Sequence, residues 1–325
     1  MDRVIQWFER HQVALYVASI GVAVIVGLTV PGIAAPAETL INPVLALLLY
    51  ATFLGIPFTR LGAVLRDWTF LRSTLLLNFV LAPVVVFGLS RFVAHDQALL
   101  AGVLLVLLCP CVDYVMVFTG LAGGAHDRLL AASPVLMLVQ MLLLPVYLWL
   151  MAGTDVVSVV EIEPFVEAFV LLIVLPLAAA ILTQLAARTR VGRIVEASAM
   201  AAMVPLMMLT LAVVVASQIA GVGAQLAALL VVIPLFVAFA VIMFGLGQWV
   251  GRCGGYDVAA RRALVFSGVT RNSLVILPLA LALPAAMDLA PLVVVTQTLV
   301  ELLIMVAMVR LVPRFKHSGL AHGSA

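Results

Sequence analysis

The sequence predicts an all-α membrane protein, and two observations lead to this fold class. Apolar residues make up 66% of the 325-residue chain and charged residues only 10%, whereas soluble domains are about 45–50% apolar and about 25% charged. The apolar residues also form continuous runs instead of alternating with polar ones, which is typical of membrane helices and not of barrel strands. We therefore expect a bundle of transmembrane helices.

Ten apolar runs are long enough to be membrane-spanning helices, which need about 20 residues each. They lie at about 13–30, 40–58, 71–93, 98–122, 129–152, 165–187, 197–220, 224–250, 263–287 and 289–311. The first run is longer than the usual signal-peptide core of about 7–15 residues, so we expect it to be retained as a helix. Ten helices leave no room for a soluble catalytic domain, so an enzyme is not expected.

The basic residues predict the orientation of these ten helices. All of the 17 lysines and arginines except Arg91 and Arg271 fall on the side of the membrane that also holds both termini. Because basic residues are concentrated in cytoplasmic loops, we expect both termini in the cytoplasm and the protein in the cytoplasmic (inner) membrane. The net charge of +2, without a long basic run, argues against binding to nucleic acid.

The chain is expected to consist of two repeats, residues 1–155 and 156–325, with five helices each. An odd number of helices makes the second repeat enter the membrane from the opposite side, so the repeats would be inverted. The fourth helix of each repeat is interrupted by polar residues, at 109–113 and at 267–273. We expect helices 4 and 9 to be broken and to cross near the bilayer midplane, where such breaks form substrate sites.

Three charged side chains, Asp113, Arg271 and Glu301, fall at membrane depth, where an ionised group costs at least about 2.5–3.5 kcal/mol. Asp113 and Arg271 either form an ion pair that only holds the broken helices together, or also contact the substrate. Glu301 forms a polar stripe with Gln297 and Thr298 on helix 10. It is either a carboxylate bonded to its neighbours or, as we favour, a proton carrier.

The remaining polar side chains of interest are thiols and one amide. Cys109, Cys111 and Cys253 are expected to form no disulfide. Pro110 interrupts helix 4, so Cys111 is expected to begin a new half-helix. Its soft sulfur suits a thiophilic centre such as trivalent arsenic or antimony, although most cysteines in apolar helices are only small apolar residues. Asn78, in the third run, is expected to satisfy backbone groups freed by a nearby proline.

The chain resembles the bile-acid/sodium symporter superfamily and, within it, the arsenite permeases of the arsenical-resistance type. The resemblance extends over most of the ten helices and is strongest at 111–118 with 121–122, at 271–274 and at 299–301. The permeases carry a functional cysteine and a functional glutamate in these segments, and Cys111 and Glu301 match them residue for residue. The resemblance implies a secondary transporter.

The chain also departs from these relatives, as a divergent branch would. The permeases usually have a small or apolar residue at the place of Asp113 and no arginine at that of Arg271. Sodium-coupled relatives build their ion sites from Ser, Asn, Gln and Glu oxygens on helices 4 and 9, where this chain has Cys-Val-Asp and Thr-Arg-Asn. Sodium coupling is therefore not expected. Instead, Arg271 is expected to take the place of the ion, with Asp113 as its counter-ion.

These observations predict a transporter that exports arsenite, with antimonite as a further candidate, in exchange for protons. Cys111 would bind the arsenic, Asp113, Arg271, Asn272 and Glu301 would complete the substrate site, and Glu301 would carry the proton. No cofactor is expected, and the partners are the solute, protons and the lipid bilayer.

Two alternatives remain open. The first is a symporter that imports a small organic anion, with Arg271 as the clamp for its carboxylate. The second is a structural or signalling membrane protein, which would need no paired helix breaks.

Overall fold

The structure is helical throughout the part of the chain that it describes. This computed structural model describes residues 2–55, 67–112, 114–159, 170–187 and 189–312. The described residues form no β-strand, so the predicted all-α class is confirmed. The α-helices are, in chain order, α1 (Asp2–Thr29), α2 (Ala34–Gly55), α3 (Trp68–Leu76), α4 (Ala82–Ser90), α5 (Gln97–Leu107), α6 (Val115–Leu121), α7 (His126–Val159), α8 (Leu175–Ala186), α9 (Arg190–Ala201), α10 (Met203–Ala224), α11 (Leu226–Leu229), α12 (Val232–Cys253), α13 (Val258–Val269), α14 (Ser273–Leu281) and α15 (Leu289–Leu311).

Several of these helices are suited to cross a membrane. Within the described ranges, six helical segments are long and apolar enough: Ala34–Gly55, Trp68–Val93, His126–Ala152, Met203–Gly223, Leu226–Cys253 and Leu289–Leu311. Three shorter apolar helices lie at Ala14–Thr29, Gln97–Leu107 and Leu175–Ala186. Each of the ten predicted runs overlaps helical structure, and the arrangement fits a multi-pass membrane protein. The number of ten spans stays a prediction.

One predicted run begins too early. The run at 197–220 is divided, because α9 ends at Ala201 and α10 begins at Met203. The Thr189 hydroxyl accepts a hydrogen bond from the Gly192 N–H at 3.1 Å and so caps the start of α9. The α9 helix carries charged residues and is mostly exposed, so it is a separate amphipathic helix before the membrane span.

Two aspartates determine where the interrupted helices begin. The Asp96 carboxylate accepts hydrogen bonds from the N–H groups of Ala98 at 2.9 Å and Leu99 at 3.0 Å, at the start of α5. The Asp257 carboxylate accepts from the Ala260 N–H at 2.9 Å, at the start of α13. Each carboxylate satisfies backbone donors that a helix start leaves unpaired. Both broken helices are therefore anchored by the same type of cap.

The helices form two groups, and each group combines helices from both predicted repeats. In the first group, α10 packs on α1 and α2, and α8 packs on α2. In the second group, α5 packs on α7 and α15, α12 packs on α13, and α14 packs on α15. The second group contains both interrupted helices and so builds the site described below.

Small residues allow the closest helix contacts in the second group. A Cβ atom added to Gly102 on α5 would lie 2.7 Å from the Val293 Cβ and 2.9 Å from the Ala290 carbonyl oxygen on α15. A Cβ atom added to Gly247 on α12 would lie 2.8 Å from the Val265 Cα on α13. Such close approach is how membrane helices gain packing contacts without a hydrophobic driving force.

Candidate functional site

The two interrupted helices meet where their backbones are extended. Helix α5 ends at Leu107 and α6 begins at Val115, while α13 ends at Val269 and α14 begins at Ser273. Pro110 and Arg271 face each other in an isolated antiparallel bridge between these breaks. The Cys111 N–H donates to the Thr270 carbonyl at 3.3 Å, and the Asn272 N–H donates to the Cys109 carbonyl at 2.8 Å. Both predicted breaks are therefore present, and they cross.

The position of Cys111 differs from the prediction. Helix α6 begins at Val115, so Cys111 lies in the extended segment before the helix and not in its first turn. The reason is that its backbone bonds across the crossing to Thr270 instead of joining a helix. Cys109 and Cys111 are buried, and Cys253 is exposed at the end of α12. None of the three forms a disulfide, so that prediction is confirmed.

The Glu301 carboxylate on α15 connects the two breaks. Its Oε1 accepts a hydrogen bond from the Tyr114 hydroxyl at 2.6 Å, and its Oε2 accepts one from the backbone N–H of Arg271 at 2.8 Å. The Gln297 side-chain amide also donates to Oε2. The Thr298 hydroxyl bonds back to its own helix, so only Gln297 of the predicted polar stripe joins Glu301. The carboxylate thus binds one residue from each broken helix.

The Arg271 side chain extends away from this carboxylate. Its Nη2 donates to the Asn78 Oδ1 at 3.1 Å and to the Gly268 carbonyl, and the guanidinium carbon lies 4.9 Å from the centre of the Phe239 ring. Within the described residues, no carboxylate oxygen lies within 4.0 Å of the guanidinium nitrogens. Glu301 therefore binds the backbone N–H of Arg271. The guanidinium of Arg271 lies elsewhere, between Asn78, Gly268 and Phe239.

Asn78 belongs to the site, although its sequence context predicts only hydrogen bonds to freed backbone groups. It lies in a π-helical turn, Leu77–Leu81, just before Pro83. Its Nδ2 donates to the Ser267 hydroxyl at 2.9 Å, while its Oδ1 accepts from Arg271. A π-turn in an otherwise regular helix frequently accompanies a functional site. The signal in the sequence is a buried amide shortly before a proline in an apolar run.

Tyr114 is a second residue that sequence reasoning missed. Its hydroxyl bonds to Glu301 and also lies 3.2 Å from the Arg271 carbonyl oxygen. One hydroxyl proton cannot be donated fully to both acceptors, and the shorter contact to the carboxylate is the stronger one. Tyr114 therefore links the first break to the second break and to α15 at the same point.

Four of the five predicted site residues lie in the part of the chain that the structure describes. Cys111, Arg271 and Asn272 lie at the crossing, and Glu301 reaches it from α15. The Asn272 Oδ1 accepts from the Val275 N–H at 3.4 Å, at the start of α14. Asp113 lies outside the described residues, so its contact with Arg271 stays a prediction.

Several buried polar atoms at the crossing have no hydrogen-bond partner among the described residues. They are the Arg271 Nε and Nη1, the Asn272 Nδ2, the Ser273 Oγ and the Gln297 Oε1. An unsatisfied buried polar group costs about 1–3 kcal/mol, so this cluster favours the binding of a polar solute, ion or water. The crevice beside Glu301 has room for about one water molecule.

A helical membrane protein in which two broken helices cross around buried polar and charged side chains has the architecture of a secondary transporter. Residues 42–229 match the family described as the Sodium Bile acid symporter family. The match spans more than half of the chain, so the protein belongs to this family of sodium-coupled and related secondary transporters. No curated protein matches the chain. The matched segment contains Asn78, Cys111 and Tyr114, and it ends before Arg271 and Glu301.

Membership in the family confirms the predicted resemblance to the bile-acid/sodium symporter superfamily. It also agrees with a multi-pass membrane transporter that is not an enzyme. The narrower resemblance to arsenite permeases stays a prediction.

Proposed function

We propose that the protein exports arsenite or antimonite across the cytoplasmic membrane in exchange for protons. One observation carries the proposal: a buried thiol and a buried carboxylate are joined at a single helix crossing. The Cys111 N–H bonds to the Thr270 carbonyl, and the N–H of the next residue, Arg271, bonds to Glu301. A change at either side chain is therefore transmitted through two backbone hydrogen bonds.

The thiol accounts for substrate recognition. Trivalent arsenic is a soft centre that prefers sulfur to oxygen ligands. When arsenite binds Cys111, an As–S bond forms and an As–O bond breaks, and the displaced hydroxide leaves with the thiol proton as water. The reverse reaction releases arsenite on the other side of the membrane, so no other reactant is needed.

The carboxylate accounts for energy coupling. Arsenite is a neutral hydroxide at cytoplasmic pH, so the membrane potential alone does not drive it uphill, whereas exchange for protons does. An ionised Glu301 accepts bonds from Tyr114, Arg271 and Gln297. A protonated Glu301 carries its own O–H and is a weaker acceptor, so the bond at the protonated oxygen is weakened or reversed. Protonation of Glu301 therefore changes the hydrogen bonds of the crossing that Cys111 occupies.

The proposed architecture has ten membrane-spanning helices in two inverted repeats, 1–155 and 156–325, with both termini in the cytoplasm. The packing supports this arrangement, because contacts recur when the repeats are exchanged. The contact of α1 with α10 corresponds to that of α8 with α2, and the contact of α5 with α15 corresponds to that of α13 with α7. The distribution of basic residues supports the orientation.

Uptake of radiolabelled arsenite into inside-out membrane vesicles tests the proposal. Vesicles with an acidic interior should accumulate arsenite, and dissipation of the pH gradient should stop the accumulation. Cys111→Ser should abolish uptake while the protein stays in the membrane. Cys253→Ser, which removes an exposed thiol, is the matched control and should transport normally. Normal uptake by Cys111→Ser would refute recognition through the thiol.

A second function is favoured by the donors of Arg271. Its Nε and Nη1 are buried without an acceptor among the described residues, so the guanidinium keeps N–H donors for a bound carboxylate. In that case the protein imports a small organic anion, and transport depends on Arg271 and not on Cys111. Uptake of a panel of labelled carboxylates by Cys111→Ser and Arg271→Lys distinguishes the two functions.

A further inference from the structure

We propose that the Arg271 guanidinium is a cation supplied by the chain itself, which permanently fills a monovalent-cation site between the π-helical turn Leu77–Leu81, α12 and α13. Removal of this side chain should leave a site that binds free guanidinium or sodium ion. The existence of this site does not depend on the proposed transport function. Only its consequence, that sodium does not drive the transporter through this site, rests on that function.

The environment of the guanidinium is built from groups that attract cations. The Asn78 Oδ1 lies 3.1 Å from Nη2, the Gly268 carbonyl oxygen accepts from the same nitrogen, and the Phe239 ring faces the guanidinium at 4.9 Å. An amide oxygen, a carbonyl oxygen and an aromatic face all present negative potential without a full charge. These three groups carry no full charge, so they suit a monovalent cation more than a divalent one.

The position of Gly268 strengthens this site. Gly268 lies in the last turn of α13, which ends at Val269. The carbonyl groups at the end of a helix have no partner within the helix, and the helix dipole makes this end negative. A positive charge is therefore stabilised at the break itself, and Arg271 supplies it three residues further along the chain.

Asn78 is held in the orientation that a cation needs. Its Nδ2 donates to the Ser267 hydroxyl at 2.9 Å and to the Thr74 carbonyl at 3.0 Å. Reversal of the amide would lose the bond to the Thr74 carbonyl, which can only accept, and would direct an N–H at the guanidinium, so the network assigns the oxygen to the cation. The site is thus organised by neighbours and does not depend on Arg271 alone.

The size of the side chain makes the site testable. Arg271 is the largest fully buried side chain in the described residues. Arg271→Ala therefore opens a space that has the shape of a guanidinium ion and is lined by the same oxygens and the same ring. A free cation can occupy this space, whereas the wild-type side chain is covalently attached and cannot dissociate.

Thermal unfolding of purified protein in detergent tests the inference without any transport substrate. Arg271→Ala is titrated with millimolar guanidinium chloride or sodium chloride, and choline chloride keeps the ionic strength constant. Guanidinium should raise the Tm with the logarithm of its concentration above the Kd, by about 2 °C for each tenfold increase, with a smaller rise for sodium. The wild type and Arg252→Ala, which removes an exposed arginine of α12, should not respond.

A second variant identifies the site itself. Asn78→Leu combined with Arg271→Ala should lose most of the response to guanidinium, because the double variant lacks the fixed amide oxygen. An unchanged response in this double variant would place the bound cation elsewhere and overturn the proposal. An Arg271→Ala protein that is stabilised equally by guanidinium, sodium and choline, or only as much as Arg252→Ala, would also overturn it.

Measurements on the wild-type protein provide an independent test, which can be carried out even if Arg271→Ala does not fold. If the chain supplies its own cation, replacing sodium with choline should leave the Tm of the wild type unchanged. Saturable stabilisation of the wild type by sodium would contradict the inference. These measurements use no arsenite, so their failure is separate from a failure of Cys111→Ser to alter arsenite export.

Discussion

Removal of the Tyr114 hydroxyl should destabilise the crossing, because this one group joins the first break to Glu301. The hydroxyl donates to the buried carboxylate at 2.6 Å, and a buried hydrogen bond to a charged group contributes about 1.5–3 kcal/mol. Tyr114→Phe keeps the ring and deletes only this donor. The free energy of unfolding should therefore fall by about 2 kcal/mol.

Tyr50→Phe is the matched control. The Tyr50 hydroxyl bonds to the neutral Thr183 hydroxyl at 2.8 Å in a partly buried position between α2 and α8. A neutral hydrogen bond contributes about 0.5–1.5 kcal/mol, so this variant should lose about half as much stability or less. Both variants remove one oxygen atom from a tyrosine, and they differ in the charge of the partner.

The assay is equilibrium unfolding in detergent micelles, analysed as a double-mutant cycle with Glu301→Ala. If the hydroxyl acts through the carboxylate, Tyr114→Phe should cost little in the Glu301→Ala background, and the coupling energy should exceed about 1 kcal/mol. The same loss of stability in both backgrounds would refute the argument, and so would a loss no larger than that of Tyr50→Phe.

Three further predictions concern packing, coupling and charge. Gly102→Ala should lower the free energy of unfolding by about 1–3 kcal/mol, because the added Cβ would lie 2.7 Å from the Val293 Cβ. Gly245→Ala is the control in the same unfolding assay and should be tolerated, because no atom lies within 4 Å of its added Cβ. Glu301→Gln should exchange labelled arsenite across vesicle membranes but fail to accumulate it on a pH gradient. Asp113→Arg combined with Arg271→Asp should restore more arsenite uptake than either single change if the two residues form a pair, and no more than the single changes if they do not.

The sequence alone was sufficient for the all-helical class and for the positions of the two helix breaks. Long apolar runs can satisfy their backbone groups in a membrane only as helices, so composition and periodicity predict the helices directly. Pro110 and the polar residues at 267–273 are costly at membrane depth, which identified the two breaks. The same cost singled out Arg271 and Glu301 as candidate residues, and both lie at the crossing.

The tertiary structure decided which groups these residues meet. Tyr114 and Glu301 are 187 positions apart in the chain, and Asn78 and Arg271 are 193 apart. A sequence pattern shows that a buried charge needs partners, but it does not show which of several distant polar groups will be adjacent. Only the packing of the π-helical turn Leu77–Leu81, α12 and α13 around the break directs the guanidinium to Asn78 and Phe239. The backbone N–H of Arg271 is left for Glu301.

The start of α6 shows the same division between local and tertiary effects. The sequence predicts an interruption at Pro110, because proline lacks the N–H group that a helix interior requires. Locally, a helix could resume at Cys111. Across the crossing, however, the backbone groups of Cys109 and Cys111 bond to Asn272 and Thr270. These bonds keep Cys111 out of a helix, and α6 begins only at Val115. The resumption of the helix was therefore decided by a second broken helix far away in the chain, whose unpaired backbone groups need the same partners.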